Sequence, residues 1–135
     1  MHPYHHALSS AKKFGGQPED YLAIHHWFDE SKEQFANFRH RALRHHAQGI
    51  YECERKFGIT MTNSDGRTLP VRYIGEQHVN EDIGFIPSLQ DWLSAIVPEP
   101  WMRSRPHGVD KNTEDEAVNR RTVRKTNTTK KEIKL

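Results

Sequence analysis

Ten histidines stand in 135 residues, nine of them before residue 102. They are dispersed through the chain, which separates them from a contiguous purification run. Imidazole mixed with carboxylate suits zinc, iron or manganese. Two pairs have the spacing of one helical turn, His25/Asp29 and His78/Asp82, and Glu81 follows His78 by three. A third imidazole, His46, falls between Leu43 and Ile50 on the apolar arc of the stretch Ala36 to Gly58. The expected centre is a divalent metal, zinc among the candidates, held by His46, His25 and His78. Asp82 or Glu76 adds a carboxylate, and His6 joins from the first helix. No CxxC or HExxH signature supports it. The same pattern has a structural reading, in which the histidines are satisfied core residues and the His/acid pairs are helix-surface hydrogen bonds.

Other chemistries compete. His25 with Asp29, or His78 with Glu76, could act as an oriented general base without metal. Cys53 shares a face with Leu43 and Phe57 and reads as an inert buried thiol. In RHRALRHH (39–46), Arg41, Arg44 and His45 form a basic edge that could take phosphates or simply face water. His40 and His45 lie five apart, about 140° around a continuous helix, and so cannot serve one ion from one face. TNSDGR (62–67) is rich in oxygen ligands but lacks the carboxylate spacing of a calcium loop, and reads as a turn.

These side chains need elements to place them. Pro3 opens a helix that Gly15-Gly16 ends, with Tyr4, Ala7, Leu8, Ala11 and Phe14 as its stripe. Pro18, Glu19 and Asp20 open a second helix over 18–35. Asn37 caps a long central helix over 37–57, closed by Gly58. Within it, Gly49 marks a close backbone approach. The period then changes, and 59–74 reads as a β-hairpin turning at Asp65-Gly66, with Pro70 restricting its second strand. A short helix over 75–83 and another over 88–96 follow, the latter with Ser88 and Asp91 at capping-box spacing. The expected fold class is α+β, a mostly helical single domain with one β-hairpin and a basic C-terminal tail.

Charge divides the chain. Residues 1–102 hold ten Lys/Arg against thirteen Asp/Glu, and residues 103–135 hold ten against five. The expected organisation is a body, 1–102, and a basic tail, 103–135, too poor in apolar residues to form its own core. Arg120, Arg121, Arg124, Lys125, Lys130 and Lys131 are its candidates for holding nucleic acid or an acidic protein partner. The lone Cys53 fits a reducing compartment, and no apolar run reaches membrane-spanning length. A cytoplasmic protein is expected. The leading function is metal binding, extended to metal-dependent hydrolysis at a His/carboxylate site. The alternative is a non-enzymatic binding or assembly protein working through its tail.

Several blocks together carry a resemblance: HPYHHALSSAKKFGG (2–16), RHRALRHH (39–46), TNSDGR (62–67), GEQHVNEDIGFIPS (75–88) and PEPWM (98–102). The chain resembles a family of small, uncharacterised proteins of bacteria and phages over residues 2–102. The resemblance implies that this body is one compact unit. It transfers no activity.

Overall fold

The computed structural model describes residues 1–103 and 105. The six basic tail positions named above lie outside the described residues. The chain divides into two units, Met1–Ile96 and Val97–Leu135. In the first, α1 (Pro3–Phe14) and α2 (Glu19–Asp29) are followed by 3-10 turns at Glu30–Glu33 and Phe38–Leu43. Then come α3 (Ala47–Phe57), strands β1 (Thr60–Thr62) and β2 (Thr68–Pro70), α4 (Val71–Ile83) and α5 (Leu89–Leu93). The second unit contributes a 3-10 turn at Pro100–Met102. The fold is α+β and mostly helical, with one antiparallel two-stranded hairpin in the register Met61 opposite Leu69. Among the described residues, no helix is long and apolar enough to cross a membrane.

Local chemistry sets the helix ends. Pro3 occupies the first turn of α1, and His2 Nδ1 accepts the Tyr4 N–H at 3.1 Å. Glu19 and Asp20 sit at the positive end of α2. Ser88 and Asp91 form the expected capping box on α5 through reciprocal bonds of 3.0 and 2.9 Å. The hairpin is shorter than expected. Pro70 accommodates the last strand position and then precedes α4, whose first turn has no need of an N–H from it. Helix α4 therefore begins at Val71, four residues before the expected start.

The long central helix is not continuous. Asn37 does cap, accepting the Arg39 N–H at 2.9 Å, but what it opens is a 3-10 segment that ends at Leu43. His46 then adopts an extended backbone, φ −166° and ψ 174°, and α3 starts afresh at Ala47. Three side-chain commitments hold the break. His46 Nδ1 accepts the Gly49 N–H at 2.9 Å, the N-cap bond of α3. The Arg44 guanidinium stacks 4.1 Å over the Trp27 ring, donates to the Trp27 carbonyl and pairs with Glu30. Trp92 Nε1 donates to the His45 carbonyl at 3.0 Å. Gly49 is required here, because a Cβ at that position would overlap the Arg44 carbonyl as the chain folds back. The expected basic edge dissolves with the helix: Arg44 is used on Trp27, and His45 is buried.

Helix α4 packs on α1, α2 and α3. Tyr21, Phe28, Ile50, Cys53, Leu69, Val71, Ile74 and Val79 form an apolar core between them. Burying side chains of this kind contributes roughly 1.5–3 kcal/mol each. Alongside this core, the same helices bury a second and polar set: His6, His25, Asp29, His40, His45 and His78.

Candidate metal centre

Five segments build the polar set. Helix α1 supplies His6. Helix α2 supplies His25 and, at its last residue, Asp29. Helix α4 supplies His78 and, one turn later, Asp82, with Glu81 beside it. The junction before α3 supplies His45, and the 3-10 segment before that supplies His40.

Asp82 is the focus. Its Oδ1 lies 3.2 Å from His6 Nε2, and its Oδ2 lies 3.0 Å from His45 Nε2 and 3.3 Å from His78 Nε2. Asp29 Oδ1 lies 3.3 Å from His78 Nε2 and 3.5 Å from His45 Nε2. Arg41 approaches Asp82 at 3.8 Å, with its guanidinium partly exposed. Ligand atoms from His6, Asp29, His78 and Asp82 all lie within 4.8 Å of one another, and this group could hold a metal ion. The spacing is the right one: bonds of about 2.0–2.1 Å place neighbouring ligands roughly 3.0 Å apart in an octahedron and roughly 3.3 Å apart in a tetrahedron.

Hydrogen bonds decide which ring nitrogens are free. His6 Nδ1 lies 2.7 Å from Glu81 Oε1. A carboxylate can only accept, so Nδ1 carries the proton and donates it. In the neutral ring, Nε2 is then a lone pair aimed at Asp82. A longer chain fixes His78. Gln77 Nε2 donates to the His6 carbonyl at 3.1 Å and to Glu81 at 3.2 Å, which orients its amide. Its Oε1 therefore meets Ser10 Oγ at 2.9 Å, and the hydroxyl must donate. Ser10 Oγ in turn accepts from His25 Nε2 at 2.8 Å. His25 Nδ1 is left as an acceptor for His78 Nδ1, 2.9 Å away. The second lone pair, on His78 Nε2, thus points between Asp29 and Asp82. Each inward nitrogen is positioned by a partner on its outer nitrogen, the usual arrangement behind metal-binding imidazoles.

Lone pairs facing carboxylates need a cation between them. Without a metal, a proton shared with the imidazoles serves, and the Met1 ammonium, 3.5 Å from Asp82 Oδ1, adds positive charge. Burial opposes charge on His6, but the facing carboxylates of Asp82 and Glu81 outweigh it and raise the imidazole above its ordinary value. Burial likewise opposes charge on Asp82, and bonds from His45, His6 and His78 hold it well below the carboxylate range. Asp29 is held low against burial by His45 and His78. His25 is the exception. Burial first, then its neighbours His78 and His6, push it down to about 2, so it is neutral, as the chain of bonds requires. Several buried atoms have no hydrogen-bond partner among the described residues: His6 Nε2, Asp82 Oδ1, Asp29 Oδ2 and His45 Nδ1. Such orphans cost about 1–3 kcal/mol each and call for an explanation.

Of the expected residues, the fold brings His6, His78 and Asp82 together, and ligand atoms of His6, His25 and His78 also lie within 4.8 Å of one another. His25 stands behind them with both nitrogens engaged. His46 does not join: its Nδ1 caps α3 and its Nε2 donates to the Ala42 carbonyl at 3.0 Å. Glu76 pairs instead with Arg72 at 3.3 Å on the outside of α4. Asp29, marked in the sequence only through its spacing from His25, and His45, not expected as a ligand, enter as further members. The i, i+4 spacing of Asp29 from His25 marked it, but as the partner of the wrong imidazole. His45 was displaced by the angle of a helix that breaks beside it. Cys53 is buried and its thiol is pushed up to about 12, first by burial and then by Glu54, which makes it unreactive.

Residues 1–102 match the model of a family described as a domain of unknown function (DUF6915), and the chain belongs to that family. No curated protein matches the sequence. No solved structure matches it either.

Proposed function

We propose that this protein binds a divalent metal ion between α1, α2 and α4, with His6 Nε2, His78 Nε2, Asp29 and Asp82 as ligands. The observation that carries this reading is the pair of imidazole lone pairs set against two buried carboxylates at 3.2 and 3.3 Å. Ser10, Gln77, His25 and Glu81 would hold the rings in the required tautomers. The mixed nitrogen and oxygen set suits zinc, iron or manganese. A four-ligand set leaves octahedral positions open, and an ion so held would lower the pKa of a bound water, the chemistry of a metal-dependent hydrolase. Arg41, partly exposed beside Asp82, would place positive charge at the edge of such a site.

Untagged protein, purified without chelator, is expected to carry stoichiometric metal by elemental analysis. His78→Ala and Asp82→Asn should lose it, and His46→Gln should keep it. Adding zinc or manganese at a hundredfold excess over Kd should stabilise the wild type by about 2.7 kcal/mol through mass action, and the two ligand variants hardly at all. A wild-type protein that takes up no metal, with an unchanged melting temperature, would refute the reading.

A further inference from the structure

Asp29 belongs to two groups. Besides the four-residue set, ligand atoms of Asp29, His40 and His45 lie within 4.8 Å of one another, and all three residues are buried. Two of these side chains bring orphaned atoms: Asp29 Oδ2 and His45 Nδ1 are buried without a hydrogen-bond partner among the described residues. These two atoms are additional to those that face His6 and His78. Asp29 uses Oδ1 toward His78 and His45, so its second oxygen is uncommitted.

His40 is held from behind as His6 and His78 are. Its Nδ1 lies 3.0 Å from Ser31 Oγ, and that hydroxyl lies 3.3 Å from the His40 carbonyl. A hydroxyl that donates to the carbonyl accepts the Nδ1 proton, which leaves Nε2 as the coordinating nitrogen. The His40 ring meets His45 edge-on, with centroids 5.5 Å apart. The break in the chain makes this meeting feasible. On a continuous helix the two side chains would diverge by about 140°.

Taken with the first site, on whose metal-binding reading this rests, we infer that the centre is dinuclear: a second divalent ion is held by Asp29, His40 and His45, with the Asp29 carboxylate bridging the two. Carboxylate-bridged ions stand roughly 3.5–4 Å apart, the separation at which a pair can share a water between them.

Manganese is the probe, because ions bridged by one carboxylate are magnetically coupled. Full-length protein, stripped by chelator and reloaded with Mn(II), should bind two ions per chain and give a coupled electron paramagnetic resonance spectrum. His40→Gln should bind one ion and give the six-line spectrum of an isolated Mn(II). His26→Gln, which alters an exposed histidine, should leave both ions and the coupling intact. One ion per wild-type chain would overturn the second site and leave the first standing. Two uncoupled ions, or two ions retained in His40→Gln, would place the second ion elsewhere and equally overturn it. No bound manganese at all would remove the first reading and this one with it. The wild-type stoichiometry and coupling decide the matter even if His40→Gln fails to fold.

Discussion

Two polar regions of this protein, the hairpin tip around the buried Asn63 and the imidazole–carboxylate centre, differ in closure. At the hairpin tip, every capacity of Asn63 is used. Its Oδ1 accepts from Asp65 N and Arg67 N at 3.0 Å each. Its Nδ2 donates to the Phe14 carbonyl at 3.2 Å and to Tyr21 Oη at 3.1 Å. Asp20 accepts from Gln17 N, Ser64 N and Ser64 Oγ around it. At the centre, by contrast, imidazoles and carboxylates crowd together and still leave four of their atoms unpartnered. A self-satisfied network needs nothing else and serves structure. An unsatisfied and more deeply buried one is consistent with the proposed ion. The sequence TNSDGR looked rich in oxygen ligands, yet it is the region that closes on itself.

The contrast can be tested from the structural side first. Asn63→Ala removes four hydrogen bonds at a buried position and should destabilise the protein by about 3 kcal/mol in urea titrations. Metal content per folded chain should not change. If it falls, the two regions are not independent.

The centre should be the acid-sensitive region. The folded value of His25 lies below its ordinary 6.5, so its contribution is complete above about that pH and is lost as pH falls. Between pH 7 and pH 5, in chelator, stability should drop by about 2 kcal/mol from this group. His6 is raised, so its contribution still grows as pH falls from 7 towards 6.5 and is complete below that, which offsets part of the loss at the upper end of the range and none of it further down. A His25→Asn variant should show a shallower slope across that range. An unchanged slope would mean that His25 is not held neutral.

Smaller effects separate backbone from site. Gly66 sits at φ +81° in the hairpin turn with nothing within 4 Å of an added Cβ. Gly66→Val should therefore cost only the backbone penalty, about 1–2 kcal/mol, read from the melting temperature. His46→Ala should cost about 1 kcal/mol through its lost N-cap and leave metal binding intact. A loss of metal in that variant would mean that the cap, and not chance adjacency, sets His45 in the centre.

Much of the fold was legible because punctuation is local. Pro3 and Gly15 bound α1, Asn37 caps, and the Ser88/Asp91 spacing announced its box. The site was legible only where its helices were continuous, as with His78 and Asp82 on α4. A helical angle carries across a segment only while the helix persists. At Arg44–His46 it does not, and the expected orientations of His45 and His46 exchange. One signal was present: Gly49 marked a close approach, and the Arg44 carbonyl is what approaches.

The chain has one cysteine and therefore cannot tie itself together with an internal disulfide. The carboxylate–imidazole centre offers a substitute. It joins Asp29 to His78 across 49 residues and His45 to Asp82 across 37. A covalent bridge closing a loop of the longer span would remove about 4 kcal/mol of entropy from the unfolded chain. An ion held at both ends would act as a cross-link of the same topology, but a reversible one. Withdrawal of metal would open it without breaking a covalent bond, and the lifetime of the folded chain against proteases would then follow the metal supply around it.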